Sequence, residues 1–304
     1  MNAVIQIRKL CLSFIITLVF STSGVFAAQI NAVASIKPVQ GLVYAVMGEN
    51  NAPNVLIEPT ASPHAFSLRP SQAQSLQNAD IIFWIGPTLE TALDKPLRSI
   101  GQKAKVVSLL DTPGLDLLTI NGTPDPHVWL SIDNMILMVN YIRDKLSSVA
   151  PENIAIYANN AKRMSRRLKL LKRKALKMTA AIKDVPYIVQ HDAFGYLARD
   201  LGLNQVGYIQ TTTGHQPGAK HMANLRALIK NKKPKCLFVE PQFTSSMAET
   251  LSQELKVRLR EVDALGTDLT TTPNVNLRIV QSIIVAFDKC LYSKPRKSSV
   301  EKPQ

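Results

Sequence analysis

Three of the five histidines, His64, His127 and His191, stand where the chain passes between strand-like and helix-like runs. His64 is at the centre of a proline-held loop, Glu58–Pro70, that leaves the apolar run Val55–Ile57. His127 follows Asp125-Pro126 and precedes a helical run, and His191-Asp192 is the exit of the apolar run Tyr187–Gln190. Neutral imidazole suits zinc, copper and nickel, and three imidazoles leave one position of a tetrahedral shell open. Asp263, at the exit of a later strand, or a water fills that position. Any one of these histidines alone reads as a hydrogen-bonded polar core residue, but three at strand edges share no packing reason. His215, in a polar loop, and His221, at the start of a basic helix, read as surface residues.

Other chemistries lack their parts. No H-E-x-x-H helix and no G-x-S-x-G elbow is present, and the 13 glycines form no phosphate cradle. His64 with Asp263 or Asp192 could make an acid–base pair, yet no nucleophile stands beside them. An exported zinc-dependent hydrolase, or an adhesin that needs no metal, is therefore a weaker reading than a metal receptor.

The elements that must position the histidines alternate in type. Strand-like runs at Ile30–Ile36, Asn54–Ile57, Ile81–Ile85 and Lys105–Leu109 are separated by helix-like runs. Lys37-Pro38 reads as the end of the first strand, and the 111–126 segment as a loop. After residue 183 the alternation resumes, with strands at Tyr187–Gln190, Val206–Gln210, Cys236–Val239 and Arg258–Val262. Short apolar strands between helices imply an α/β fold, two βα lobes with mainly parallel sheets. Ligands of such sheets sit beyond the strand ends, and here two histidines precede the middle of the chain and one follows it, so the site falls between lobes.

Between the halves, Pro151–Lys183 carries apolar residues at steps of three and four from Ile154 to Ile182, the mark of one long helix. At 1.5 Å per residue it would be roughly 50 Å long. Its outer face is crowded with Lys and Arg and reads as solvated. The expected organisation is a signal peptide at 1–27, a first lobe at 28–150, a linking helix at 151–183, a second lobe at 184–293 and a basic tail at 294–304.

The net charge of +14 is concentrated in that helix and the tail, without the interleaved aromatics that nucleic-acid binding uses. Arg8 and Lys9 before the apolar Leu10–Phe20, with small residues ahead of Ala27-Ala28, read as a cleavable export signal, too short to span a bilayer. Cys236 and Cys290 remain beyond it, read as one disulfide in an oxidising compartment or else as two buried thiols.

The segments Ala61–Asp80, Asp125–Leu130, His191–Leu203, Gln216–Ala219, Cys236–Phe243 and Asp263–Thr267 resemble, in order and spacing, the periplasmic zinc-binding proteins of ABC transporters, the ZnuA type. The resemblance runs from Ile30 to Leu291. It implies two lobes joined by a rigid helix, zinc as the transported ligand, and a monomer that delivers the ion to an inner-membrane permease. It carries His64, His127 and His191 over as ligands, places Asp263 where related manganese and zinc binders have one, and implies the Cys236–Cys290 disulfide. Two features depart from the pattern. Thr112–Pro124 has no histidine where many members carry a His-rich loop, and Pro63 stands where some carry a glutamate. His191 occupies the place of a glutamate in manganese-specific members, which favours zinc.

Overall fold

The computed structural model describes residues 30–49, 51–100, 103–120, 122–211, 217–244 and 246–292. The expected signal peptide, the basic tail and His215 lie outside these residues. The first sheet holds β1 (Ala32–Ala34), β2 (Asn54–Val55), β3 (Ile81–Trp84) and β4 (Lys105–Ser108), all parallel, in the order β2-β1-β3-β4. Helices α1 (Lys37–Met47), α2 (Pro70–Gln77) and α3 (Asp94–Ser99) lie along the connections. A small antiparallel pair, β5 (Thr119–Ile120) with β6 (Thr123–Pro124), folds within the stretch expected to be a loop, and α4 (Ile132–Val149) follows His127.

Helix α5 (Ile154–Thr179) connects this sheet to a second one. There β7 (Tyr187–His191), β8 (Gln205–Gln210), β9 (Cys236–Val239) and β10 (Arg258–Glu261) run parallel in the order β10-β9-β7-β8. Its helices are α6 (Gly195–Leu201), α7 (Ala219–Lys232), α8 (Ser246–Leu255) and α9 (Val275–Leu291). Every residue of β1, β3, β7 and β9 is buried, which suits parallel strands covered on both faces.

Two boundaries differ from expectation for identifiable reasons. Lys37-Pro38 opens α1 rather than merely closing β1, because a proline in the first helical turn lacks only an N–H that would have no partner there. The long helix is shorter than the 33-residue run: Pro151–Asn153 forms a 3₁₀ turn, and α5 proper has 26 residues, about 39 Å. At its far end the chain tightens into turns, Ile182 N–H to Thr179 and Val185 N–H to Ile182, ahead of Pro186.

The lobes are packed together along their backs. Helix α5 lies on α1, α4 and α9, and α1 touches α9 directly. At that crossing Gly41 is required: a Cβ there would stand 2.1 Å from Asn276 Oδ1. Asn276 Nδ2 donates to the Pro38 carbonyl at 3.0 Å across the same contact. Cys236 and Cys290 form a disulfide, Cα–Cα 6.3 Å, that pins α9 to the start of β9.

A candidate metal centre between the lobes

Each histidine is placed by a different backbone device. Pro63 opens a 3₁₀ turn, Pro63–Ala65, with His64 at its middle, and Pro63 is buried beneath the loop. A proline here fixes the backbone that aims the imidazole. His127 directly precedes a second 3₁₀ turn, Val128–Leu130, and its carbonyl accepts the Leu130 N–H at 3.0 Å. His191 is the last residue of β7, in register with Gln210 of β8.

The three rings converge. Their centroids are 5.5 Å (His64–His127), 5.2 Å (His64–His191) and 4.9 Å (His127–His191) apart. One nitrogen from each lies within 4.8 Å of the other two, so all three border one small space. His127 and His191 are 2% and 3% exposed, and among the described residues the buried His127 Nε2 has no hydrogen-bond partner. A buried, unpaired ring nitrogen is costly unless a ligand meets it.

Carboxylates stand behind two of the rings. Asp125 Oδ1 is 2.8 Å from His127 Nδ1, and Glu240 Oε2 is 3.1 Å from His191 Nδ1. A ring N–H held on a carboxylate in this way leaves Nε2 as the free donor nitrogen of each ring. Two buried anions one imidazole away also balance a divalent charge. The histidine spacing alone does not pick out Asp125 and Glu240. Their signal is positional, an acid immediately before a proline at the exit of a strand or loop, Asp125-Pro126 and Glu240-Pro241. In the second sheet the strand order reverses between the parallel neighbours β7 and β9, and His191 and Glu240 stand at the ends of those two strands, the usual ligand position of such sheets.

The cavity between the rings is about 20 Å³, room for one water-sized body. Trp129, Phe243 and Leu265 line it, and the Phe243 ring lies 4.8 Å from that of His191. A small ion fits such a space, whereas a peptide or ester does not.

Asp263 is outside the cluster of converging nitrogens. Its Oδ1 accepts the N–H groups of Leu265 and Gly266, both at 2.9 Å, and its Oδ2 accepts that of Thr267. Gln242 Nε2 donates to the same Oδ1 at 3.1 Å. The carboxylate therefore organises its own loop. That loop is gripped from the first lobe at three points. Lys37 Nζ donates to the carbonyls of Gly266 (2.7 Å), Thr267 (3.1 Å) and Leu269 (2.8 Å). Trp129 Nε1 donates to the Ala264 carbonyl at 3.0 Å, and Thr267 Oγ1 donates to the Pro59 carbonyl at 3.1 Å. Burial pushes the Lys37 ammonium down from its ordinary value, and the nearby Asp263, Asp268 and Glu58 oppose that shift.

The remaining candidates lie elsewhere. Asp192 accepts from Gln205 Nε2 at 2.7 Å, and burial raises its carboxyl. His221, expected at the surface, is half-buried: its ring stacks on Tyr208, and its Nε2 is 2.9 Å from the Tyr208 carbonyl.

Comparison with known proteins places the chain in a family. The family model described as zinc-uptake complex component A, periplasmic (ZnuA), matches residues 32–279. The high-affinity zinc uptake system protein ZnuA of Brucella abortus is 29% identical, over 90% of this chain and 95% of its own length. That of Haemophilus ducreyi is 30% identical, over 87% and 94%. In fold, the periplasmic zinc-binding protein TroA from Treponema pallidum superposes with a TM-score of 0.80 at 21% identity, covering 87% of this chain and 99% of that one. Members of this family are solute-binding components of transporters rather than enzymes, and the chain is a member of the periplasmic ZnuA family of zinc-uptake complexes.

Proposed function

We propose that this protein captures Zn(II) between its lobes on His64, His127 and His191 and hands it to an ABC-type permease of the inner membrane. The observation that carries this is the convergence of three imidazole nitrogens within 4.8 Å in a cavity sized for one ion. Nitrogen donors disfavour manganese in the ordinary affinity order, which speaks for zinc over a manganese-specific role. Asp125 and Glu240 orient two of the ligands, and a water completes the shell, because the hydrogen bonds of Asp263 commit both its oxygens to the loop. The chain acts as a monomer, exported by the 1–27 segment and cleaved there, with lobes at 28–150 and 184–293 joined through 151–183. Protons compete for the imidazoles, so capture weakens as pH falls.

Titration of the metal-free mature protein with zinc, manganese and copper tests the reading. One tightly held zinc per chain that manganese does not displace is the expected outcome. Failure to retain zinc, or preferential retention of manganese, would refute it.

A further inference from the structure

The outer face of α5 serves no part of the metal site, and its composition is unusual. Its 26 residues contain nine Lys or Arg and no Asp or Glu. Eight of the nine are exposed, and among the described residues only Lys172 has a carboxylate partner, Asp133. Arg163 and Arg167 donate merely to the amide oxygens of Asn160 and Asn274.

At about 100° per residue, Lys162, Arg166, Lys169, Arg173 and Lys177 fall in one row along the helix. Arg163, Arg167 and Lys174 fall in a second row on the same side. Leu170 lies between the two rows and is 48% exposed, and Leu176, at 43%, flanks the first. Apolar side chains set among unpaired cations make a surface that is both anion-seeking and greasy.

Two concavities continue this face. One, of about 430 Å³, is polar and is lined by Arg163, Arg167, Asn160 and Asn274, with Glu49 on its wall. The other, of about 260 Å³, is a mainly apolar groove between α5 and α9, with Leu171, Met178, Leu277 and Ile284 in it and Arg167 and Lys174 at its rim. Arg167 is common to both. A guanidinium between a polar recess and an apolar groove matches the two ends of an anionic amphiphile.

We propose that this face docks on an anionic phospholipid surface, with headgroup phosphates on the arginine rows and the leucines and the groove taking the acyl boundary. Basic residues near an anionic bilayer add attraction cumulatively, and apolar residues set among them give depth to the contact. Nucleic acid fits less well, since no aromatic residue is exposed on the helix to stack on bases. A purely ionic partner would leave Leu170 and the groove unexplained.

Sedimentation of the full mature protein with vesicles tests this. It should pellet with phosphatidylglycerol–phosphatidylcholine vesicles at low salt, stay in solution with phosphatidylcholine alone, and be released as salt rises. A variant with Arg166→Gln, Arg167→Gln, Arg173→Gln and Lys174→Gln should lose roughly 100-fold or more in partitioning while still binding zinc, which confirms that it is folded. Leu170→Asp alone should lower partitioning severalfold. Equal binding to uncharged vesicles, no binding to either, or unchanged partitioning of the variants would overturn the proposal. So would capture by heparin or DNA as tight as by the vesicles.

Discussion

Asp125 Oδ1 holds His127 twice, through the ring Nδ1 at 2.8 Å and through the backbone N–H at 3.0 Å. One buried carboxylate therefore sets both the ring orientation and the backbone of a histidine in the proposed metal site. Neighbouring Tyr196 donates to the Asp125 carbonyl at 2.8 Å, so the support reaches into α6.

Replacing Asp125 with Ala should accordingly weaken zinc binding by about 10- to 100-fold while leaving the fold intact. Competition against a chelator of known affinity measures it. An affinity equal to that of the parent would show that the carboxylate does not orient the ligand.

The Lys37 clamp joins the lobes at the loop next to the site. Lys37→Met leaves three carbonyls without their donor, a loss of about 2–4 kcal/mol if they stay buried. Faster amide exchange across residues 264–269 and faster release of zinc are expected together. Normal exchange in that loop would mean that Trp129 and Thr267 suffice to hold it.

The Cys236–Cys290 disulfide closes a separation of 54 residues, worth about 4 kcal/mol in the chain-entropy picture. Cys236 is at the opposite end of β9 from Glu240. Reduction should thus lower the melting temperature by roughly 10 °C and leave the zinc affinity little changed. Loss of zinc at temperatures where the reduced chain remains folded would contradict this separation of roles.

Glu90 is fully buried at the first sheet, and its carboxylate accepts from Ser35 Oγ at 2.5 Å and from the N–H groups of Ile85 and Gly86. Burial outweighs these bonds and pushes its carboxyl up from 4.5 to about 7. Between those values the folded chain keeps a proton that the unfolded chain has released. Its contribution to stability therefore falls as pH rises through that window and is lowest above it, by up to about 3 kcal/mol. Urea unfolding at pH 5 and pH 8 should show this slope in the parent and a flatter one in Glu90→Gln. Identical slopes would place the titration elsewhere.

Much of this architecture is written locally. Short strand-like runs separated by helical periods are enough to find all eight strands of the two parallel sheets, most plainly β1, β3, β7 and β9, whose burial on both faces calls for continuous apolar runs. The histidines are legible because imidazoles at strand exits are rare without a purpose. What the sequence hides is long-range pairing. Nothing near Lys37 announces that its amine caps carbonyls more than 220 residues away. Nothing in the sequence shows that Asp263, at a strand exit, accepts the N–H groups of its own loop on both of its oxygens. Asp125 and Glu240 stand behind histidines rather than among them, so the acid-proline pairs mark them in the sequence without showing which ring each one holds.

The central claim is that three imidazoles hold one zinc ion. A zinc-edge X-ray absorption spectrum of the loaded protein tests it directly. The account predicts three nitrogen donors of the imidazole type at about 2.0–2.1 Å with one further oxygen. A shell with sulfur donors, or with fewer than three imidazoles, would contradict it.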